Sequence, residues 1–202
     1  MNTLTINGKE YTLTEEQAKA ILNDYKLNKS KLADIEASKT CNIGNYEFIV
    51  LEHLENGETV LMLKDILKES RFGSNNNYDG SDVDKICNEF GKKISKIVGE
   101  ENLCEYTLDL TAGNGMKCYG AIKRKCSLIN LDMLRKYGYI LAEHSIKDWQ
   151  WLATATGTEK WGTDYYAICL SPSGIINYIS CVNYIVGVRP FCILKSDIFV
   201  SN

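Results

Sequence analysis

The chain has 202 residues, of which 45% are apolar and 24% charged, and its 23 basic and 26 acidic side chains leave a net charge of −3. This is ordinary for a soluble globular protein and suits one domain with a short appendage. Charge is dispersed, with one basic run at Lys123-Arg124-Lys125, so a nucleic-acid footprint is not supported, and no apolar run reaches the ~18 to 20 residues of a membrane helix.

Met1 to Thr14 lacks a basic start followed by a continuous apolar stretch, so no secretory leader is expected and the protein is expected to act in a cytoplasm, its own or a host's. Thr3 to Leu13 alternates apolar and polar residues around Asn7-Gly8, the signal of a two-residue hairpin. Thr14-Glu15-Glu16-Gln17 has capping-box spacing and predicts a following helix. That helix is expected over about 15–38, with Ala18, Ile21, Tyr25, Asn28, Leu32 and Ile35 at three- and four-residue steps. Such a seam either joins two copies of the chain, with Asn28 fixing register, or packs on the chain's own domain. Residues 1–40 are therefore read as a separable hairpin and amphipathic helix, and 43–202 as the main domain.

Tyr46 to Leu51 and Thr59 to Leu63 read as strands joined across Glu55-Asn56-Gly57-Glu58. Asp65 to Glu69 reads as a helical turn. Asn75, Asn77, Asp79 and Gly80 imitate the opening of a calcium loop, but the twelfth position is Ile86 and not the bidentate Glu such a loop needs, so no metal is expected. Ser81 or Asp82 caps a helix carrying Val83, Ile86, Cys87, Phe90, Ile94 and Ile97 on one face, with Gly91 a possible break. Strands follow at 104–110 and 117–122, then a short helix 131–137 capped by Asn130 and closed by Gly138.

Asp109 to Gly115 fits the D-x-x-x-G-x-G loop of nucleotide-type methyltransferases, in which glycine amides approach the cofactor. The stretch after Met116 reads as a returning strand and not a helix, so the loop is better taken as a hairpin turn, and S-adenosylmethionine-dependent methylation stays an alternative. Strand and loop continue through Trp149, Trp151 and Trp161, then Tyr166 to Leu170, the turn Ser171-Pro172-Ser173-Gly174, and Ile175 to Val182. Gly187 to Leu194 reads as a closing core strand that carries Arg189 inside it. A buried guanidinium must be paired or must donate to carbonyls, so Arg189 is expected to be a structural pin.

Eight cysteines, Cys41, Cys87, Cys104, Cys118, Cys126, Cys169, Cys181 and Cys192, are spread along the chain without a C-x-x-C pair. With His53 and His144 far apart, reduced thiols are expected and no metal site.

In order along the chain stand the Tyr46-to-Leu51 strand, Leu61-Met62-Leu63, Phe72, Asn77-Tyr78, Ser81-Asp82-Val83 and Cys87-Asn88-Glu89-Phe90. After them come Ser127-Leu128-Ile129, Trp149-x-Trp151-Leu152-x-Thr154, Ser173-Gly174 and Gly187-Val188-Arg189-Pro190. This succession, over about residues 43–200, resembles a phage- and prophage-associated domain of unknown function with a C-type-lectin-like fold. That domain is similar to the formylglycine-generating enzyme and to the variable proteins of phage retroelements. The resemblance implies an α+β fold, a C-type-lectin-like (sulfatase-modifying-factor-like) domain with short antiparallel sheets and two main helices; the N-terminal hairpin and helix precede it and fall outside the matched stretch. It implies a scaffold that presents loops for binding. The close cysteine pair that holds copper in the formylglycine-generating relatives is missing, since Cys181 and Cys192 straddle the closing turn, so neither catalysis nor a cofactor is carried over.

The expected function is a non-enzymatic binding module for a protein partner, an intracellular inhibitor of a host process of the anti-CRISPR or other anti-defence kind. A phage-tail receptor-binding module is the other reading. The expected recognition loop runs from Trp149 to Tyr166, with Trp149, Trp151, Trp161 and Tyr165 giving area and Thr154, Thr156, Thr158 and Asp164 giving polar contacts. Of Trp149 and Trp151, at least one is expected in the core.

Overall fold

The computed structural model describes residues 2–6, 9–27, 29–161 and 164–201. The chain opens with β1 (Asn2–Ile6), β2 (Lys9–Leu13), α1 (Glu15–Leu27), β3 (Ser30–Lys31), β4 (Thr40–Ile43), β5 (Tyr46–His53), β6 (Glu58–Leu63) and β7 (Lys68–Ser70). The middle holds α2 (Asp82–Val98), β8 (Tyr106–Asp109), β9 (Ala121–Arg124), β10 (Cys126–Ser127) and α3 (Leu131–Glu143). It closes with β11 (Gln150–Ala155), β12 (Tyr166–Leu170), β13 (Ile176–Ser180), β14 (Val186–Val188), β15 (Phe191–Lys195) and β16 (Phe199–Val200).

Two five-stranded sheets make the body, in the orders β10-β15-β6-β5-β4 and β13-β12-β11-β14-β7. All pairings are antiparallel except β11 with β14. Side chains alternate across the first sheet as the pleat requires. Phe48, Val50, Leu61, Leu63, Cys192 and Leu194 meet Val83, Cys87, Phe90 and Ile94 of α2 on one side. Ile49, Val60, Met62, Phe191 and Ile193 meet Leu134, Tyr137 and Leu141 of α3 on the other. The second sheet divides likewise, Trp151, Ala153, Ala167 and Cys169 joining the α2 cluster and Leu152, Ile168 and Leu170 the α3 cluster. The class is α+β with small, mainly antiparallel sheets, and no helix among the described residues is long and apolar enough to cross a membrane.

At the N-terminus the hairpin forms with Ile6 opposite Lys9, while Asn7 and Gly8 lie outside the described residues. The capping box closes both ways: the Gln17 N–H donates to Thr14 Oγ1 at 3.2 Å and the Thr14 N–H to Gln17 Oε1 at 3.0 Å. α1 then ends at Leu27, so the expected helix to residue 38 does not exist. The chain turns into β3, which pairs with β16, and Leu32 and Ile35 are buried in the α2-side core. A short exposed seam offers these two side chains little, whereas the core removes them from water at about 1.5–3 kcal/mol each. Ile21 stays exposed on α1, Tyr25 lies on the same helix, and Asn28 is outside the described residues. The main domain therefore includes residues from Ser30 onward.

Other boundaries shift for local reasons. Asp65 to Glu69 is not helical, because Lys68–Ser70 pairs with Val186–Val188 as an edge strand. α2 runs unbroken through Gly91, where a Cβ would stand 2.9 Å from Cys126 Cβ, so the glycine permits close approach of helix to β10. α3 continues through Gly138 to Glu143, burying Leu141. The expected closing strand is two strands in different sheets, broken at Arg189-Pro190, where proline has no N–H to give a ladder. Gly187 is required there, since a Cβ would lie 2.5 Å from Ile66 Cδ1 and 2.7 Å from Trp149 O.

The methyltransferase-like stretch is the β8–β9 hairpin, with Asp109 opposite Ala121. Asp109 Oδ1 accepts from the Thr111 N–H at 2.7 Å and its hydroxyl at 2.6 Å, and these bonds hold its carboxyl below the usual range. The acid is an internal turn-former.

Candidate recognition surface

β11 runs through the middle of the second sheet with every residue buried, and that removes part of the expected recognition set. Trp151 is a core anchor: its Nε1–H donates to Ser70 O at 3.0 Å and its ring meets Phe72 edge-on at 5.4 Å. Thr154 is buried, its hydroxyl oxygen accepting from the Leu131 N–H at the start of α3 at 2.9 Å. Thr158 is buried too, donating to Met116 Sδ and Cys118 Sγ. Hydroxyls this deep must be bonded inside the protein, which is why threonines chosen for their polarity turn inward. Thr156 and Asp164 are half-buried. The Thr156 hydroxyl donates to Tyr166 O at 2.9 Å.

The loop that remains is clasped from below by Asn76, which the sequence reading passed over as part of an irregular run. Asn76 is fully buried. Its Nδ2 donates to Gly157 O at 3.0 Å and Tyr166 O at 2.9 Å, its N–H to Asp164 O at 2.8 Å, and its Oδ1 accepts from the Tyr119 hydroxyl at 2.7 Å. Both ends of the loop are thereby fixed. On it Trp161 is 73% exposed, on the helical turn Glu159–Trp161, and Tyr165 is exposed beside it. Gly162 and Thr163 lie outside the described residues. Trp149 is 40% exposed.

The structure adds an aromatic set the loop reading missed. Tyr178 on β13 is 62% exposed and packs edge-to-face on exposed Tyr166 of β12 at 5.8 Å. Ile175, Ile176, Tyr184 and Ile185 are exposed as well. β13 is the last strand of its sheet. Ser171 N–H donates to Ile175 O and Cys181 N–H to Tyr165 O, so with the register of this pair the odd-numbered residues of β13 bond to β12. Ile176, Tyr178 and Ser180 turn their backbone groups to the open edge, where the Tyr178 N–H donates to Asn177 Oδ1 at 2.8 Å. No charged residue stands between Asp164 and Arg189, and β13 itself holds no proline, so this strand lacks the lysine or proline that ordinarily guards an edge.

Elsewhere the chemistry-bearing groups serve the scaffold. In the calcium-like loop, Asn75 and Asn77 close on the N–H groups of Asn77 and Asp79. The cation there is Arg124, with Nε 2.8 Å from Asp84 Oδ1 and Nη2 2.7 Å from Asp84 Oδ2 and 2.5 Å from Asp79 Oδ1. Pairing with Asp84 foremost raises the Arg124 pKa. Among the described residues no three His, Cys, Asp or Glu side chains group as metal ligands. His53 Nε2 lies 2.7 Å from Ile35 O and His144 Nε2 2.8 Å from Ser38 O. All eight cysteines are free, and burial pushes the Cys41 and Cys87 thiols up to about 12. Arg189 is buried, donating to the Leu63 and His144 carbonyls, with its pKa pushed down to about 10 by burial.

No family model, curated protein or solved structure matches the chain.

Proposed function

We propose that this protein is a non-enzymatic binding module with a C-type-lectin-like scaffold, and that it recognises a protein partner through Trp161, Tyr165, Tyr166 and Tyr178. The observation that carries this reading is the exposed aromatic set, Trp161 and Tyr165 on the clasped loop and Tyr166 and Tyr178 on β12 and the edge strand β13. Tyrosine and tryptophan bring large contact area at low cost in side-chain entropy, and such residues dominate binding energy at interfaces. The Asn76 clasp supports it further, because a loop held at both ends loses little freedom on binding. The non-enzymatic part rests on the acids: Asp84 is held by Arg124, Asp109 by Thr111, and Glu52 by Lys136 and Tyr137.

The biological setting rests on the resemblance drawn from the sequence. It is a phage-derived protein acting inside the host cytoplasm as an inhibitor of a host process, of the anti-defence kind. Immobilised protein exposed to host lysate tests the reading, with Trp161→Ala and Tyr178→Ala as variants and Lys92→Ala on α2 as control. A partner captured by wild type and control but lost by both aromatic variants, at unchanged melting temperature, supports it. Equal capture by all four proteins, or by none, refutes it.

A further inference from the structure

β13 pairs with β12 residue by residue, from Tyr166 opposite Ser180 to Leu170 opposite Ile176, with no shift of register. Its free edge therefore carries no bulge of the kind that turns a strand away from pairing. Ile176, Tyr178 and Ser180 direct their N–H and C=O groups along this edge, while the odd-numbered residues bond to β12. Another strand can join only if its own edge-facing residues come opposite these three. β13 meets that condition with itself. In an antiparallel pairing about a two-fold axis at Tyr178, that residue stands opposite Tyr178 of the second copy and Ile176 opposite Ser180, each pair exchanging both N–H···O bonds. The Asn177 Oδ1 bond to the Tyr178 N–H is the local contact that this ladder replaces. A two-fold axis sets any charge near it against its own copy, and the segment between Asp164 and Arg189 has none.

We propose that two copies of the chain join edge to edge through β13, so that their five-stranded sheets become one continuous sheet. Ile168 faces the α3 cluster and stands opposite Tyr178, so Tyr178 and its diagonal neighbour Tyr166 project from that same face. The pairing uses backbone groups and leaves the face open. Tyr166 and Tyr178 of both copies then form one row across the axis, with the two Tyr178 rings as a favourable cross-strand pair. That a protein partner meets this doubled row rests on the recognition reading above; the pairing itself does not.

Sedimentation equilibrium of the purified full chain tests the pairing with no other protein present, so its failure is distinct from failure of the recognition reading. Wild type should form a reversible dimer at micromolar concentration. Tyr178→Lys and Tyr178→Glu each set like charges opposite one another at the axis, and each alone should lose the dimer. Their equimolar mixture should regain it, because unlike charges then face each other. Ile176→Pro removes an edge-facing N–H and no bond to β12, and should also lose the dimer while keeping the wild-type circular-dichroism spectrum. A wild-type chain that stays monomeric would overturn the proposal. So would a dimer that survives Tyr178→Lys or Ile176→Pro, which would place the contact elsewhere, such as the face of α1 with exposed Ile21, or a Lys–Glu mixture that stays monomeric.

Discussion

Arg189 donates from Nε to the carbonyl oxygen of Leu63 at 2.8 Å, and another nitrogen of the same guanidinium reaches the carbonyl of His144 at 3.2 Å. Leu63 ends β6 and His144 caps α3, so one side chain ties both to the crossover from β14 to β15. The partial negative charge of a helix C-terminus suits a cation there. Arg189→Ala takes the donor from the buried Leu63 carbonyl and the part-buried His144 carbonyl and should cost about 1–3 kcal/mol. Arg189→Lys should recover only part, because an ammonium lacks the planar fork. Urea midpoints at constant slope measure both.

The Asp84–Arg124 pair supports a second expectation. Asp84 is buried and accepts from Arg124, Asn88 and the Gly80 N–H, so Arg124→Ala strands a carboxylate in the core and should destabilise by about 3 kcal/mol or more. Calcium should not rescue it, since the loop still lacks the closing Glu. Thermal melts of the variant with and without millimolar calcium decide this, and a large calcium-dependent rise would contradict it.

Thiol accessibility gives a third. Cys118 is exposed and Cys104 half-exposed, while the other six cysteines are buried. Burial raises the Cys104 pKa to about 11, keeping that thiol protonated and slow at neutral pH. Ellman titration of the native protein should show one fast thiol, lost in Cys118→Ser, and the full set only after denaturation.

Residues 1–28 and 29–38 should behave differently when removed. Deleting 1–28 takes away the hairpin and α1 and should leave a cooperative fold. Deleting 1–38 also removes Leu32 and Ile35 from the core and strips β3 from β16, and should cost several kcal/mol by lost burial alone. Urea unfolding of the two truncated chains separates them, and equal stabilities would return the boundary to residue 40.

Much of the scaffold was legible because local signals agreed with the global fold. The capping box at Thr14, the Ser81 and Asn130 caps, and the strand Tyr166–Leu170 stand where their residue types place them. The misreadings share a cause, long-range contacts that no window along the chain contains. Leu32 and Ile35 keep helical spacing, yet the core takes them. Gly91 and Gly138 read as stops but sit inside helices, Gly91 because Cys126 presses on it. The proposed surface is half legible. Trp161 and Tyr165 are exposed as their loop positions suggest, whereas Asn76, the clasp, depends on partners at Tyr119, Gly157 and Tyr166. Tyr178 falls in the stretch Ile175 to Val182, whose place at the sheet edge no window along the chain contains.

The account rests most on the aromatic edge being a binding surface and not part of the stability of the fold. The most direct measurement pairs capture of the proposed partner from host lysate with the melting temperature for Tyr178→Ala and Arg189→Ala. Tyr178→Ala should lose capture by tenfold or more, about 1.4 kcal/mol or above, with an unchanged melt, and Arg189→Ala should melt several degrees lower while the fraction still folded captures normally. A Tyr178→Ala protein that captures as well as wild type, beside an Arg189→Ala protein that stays stable and captures nothing, would contradict the account.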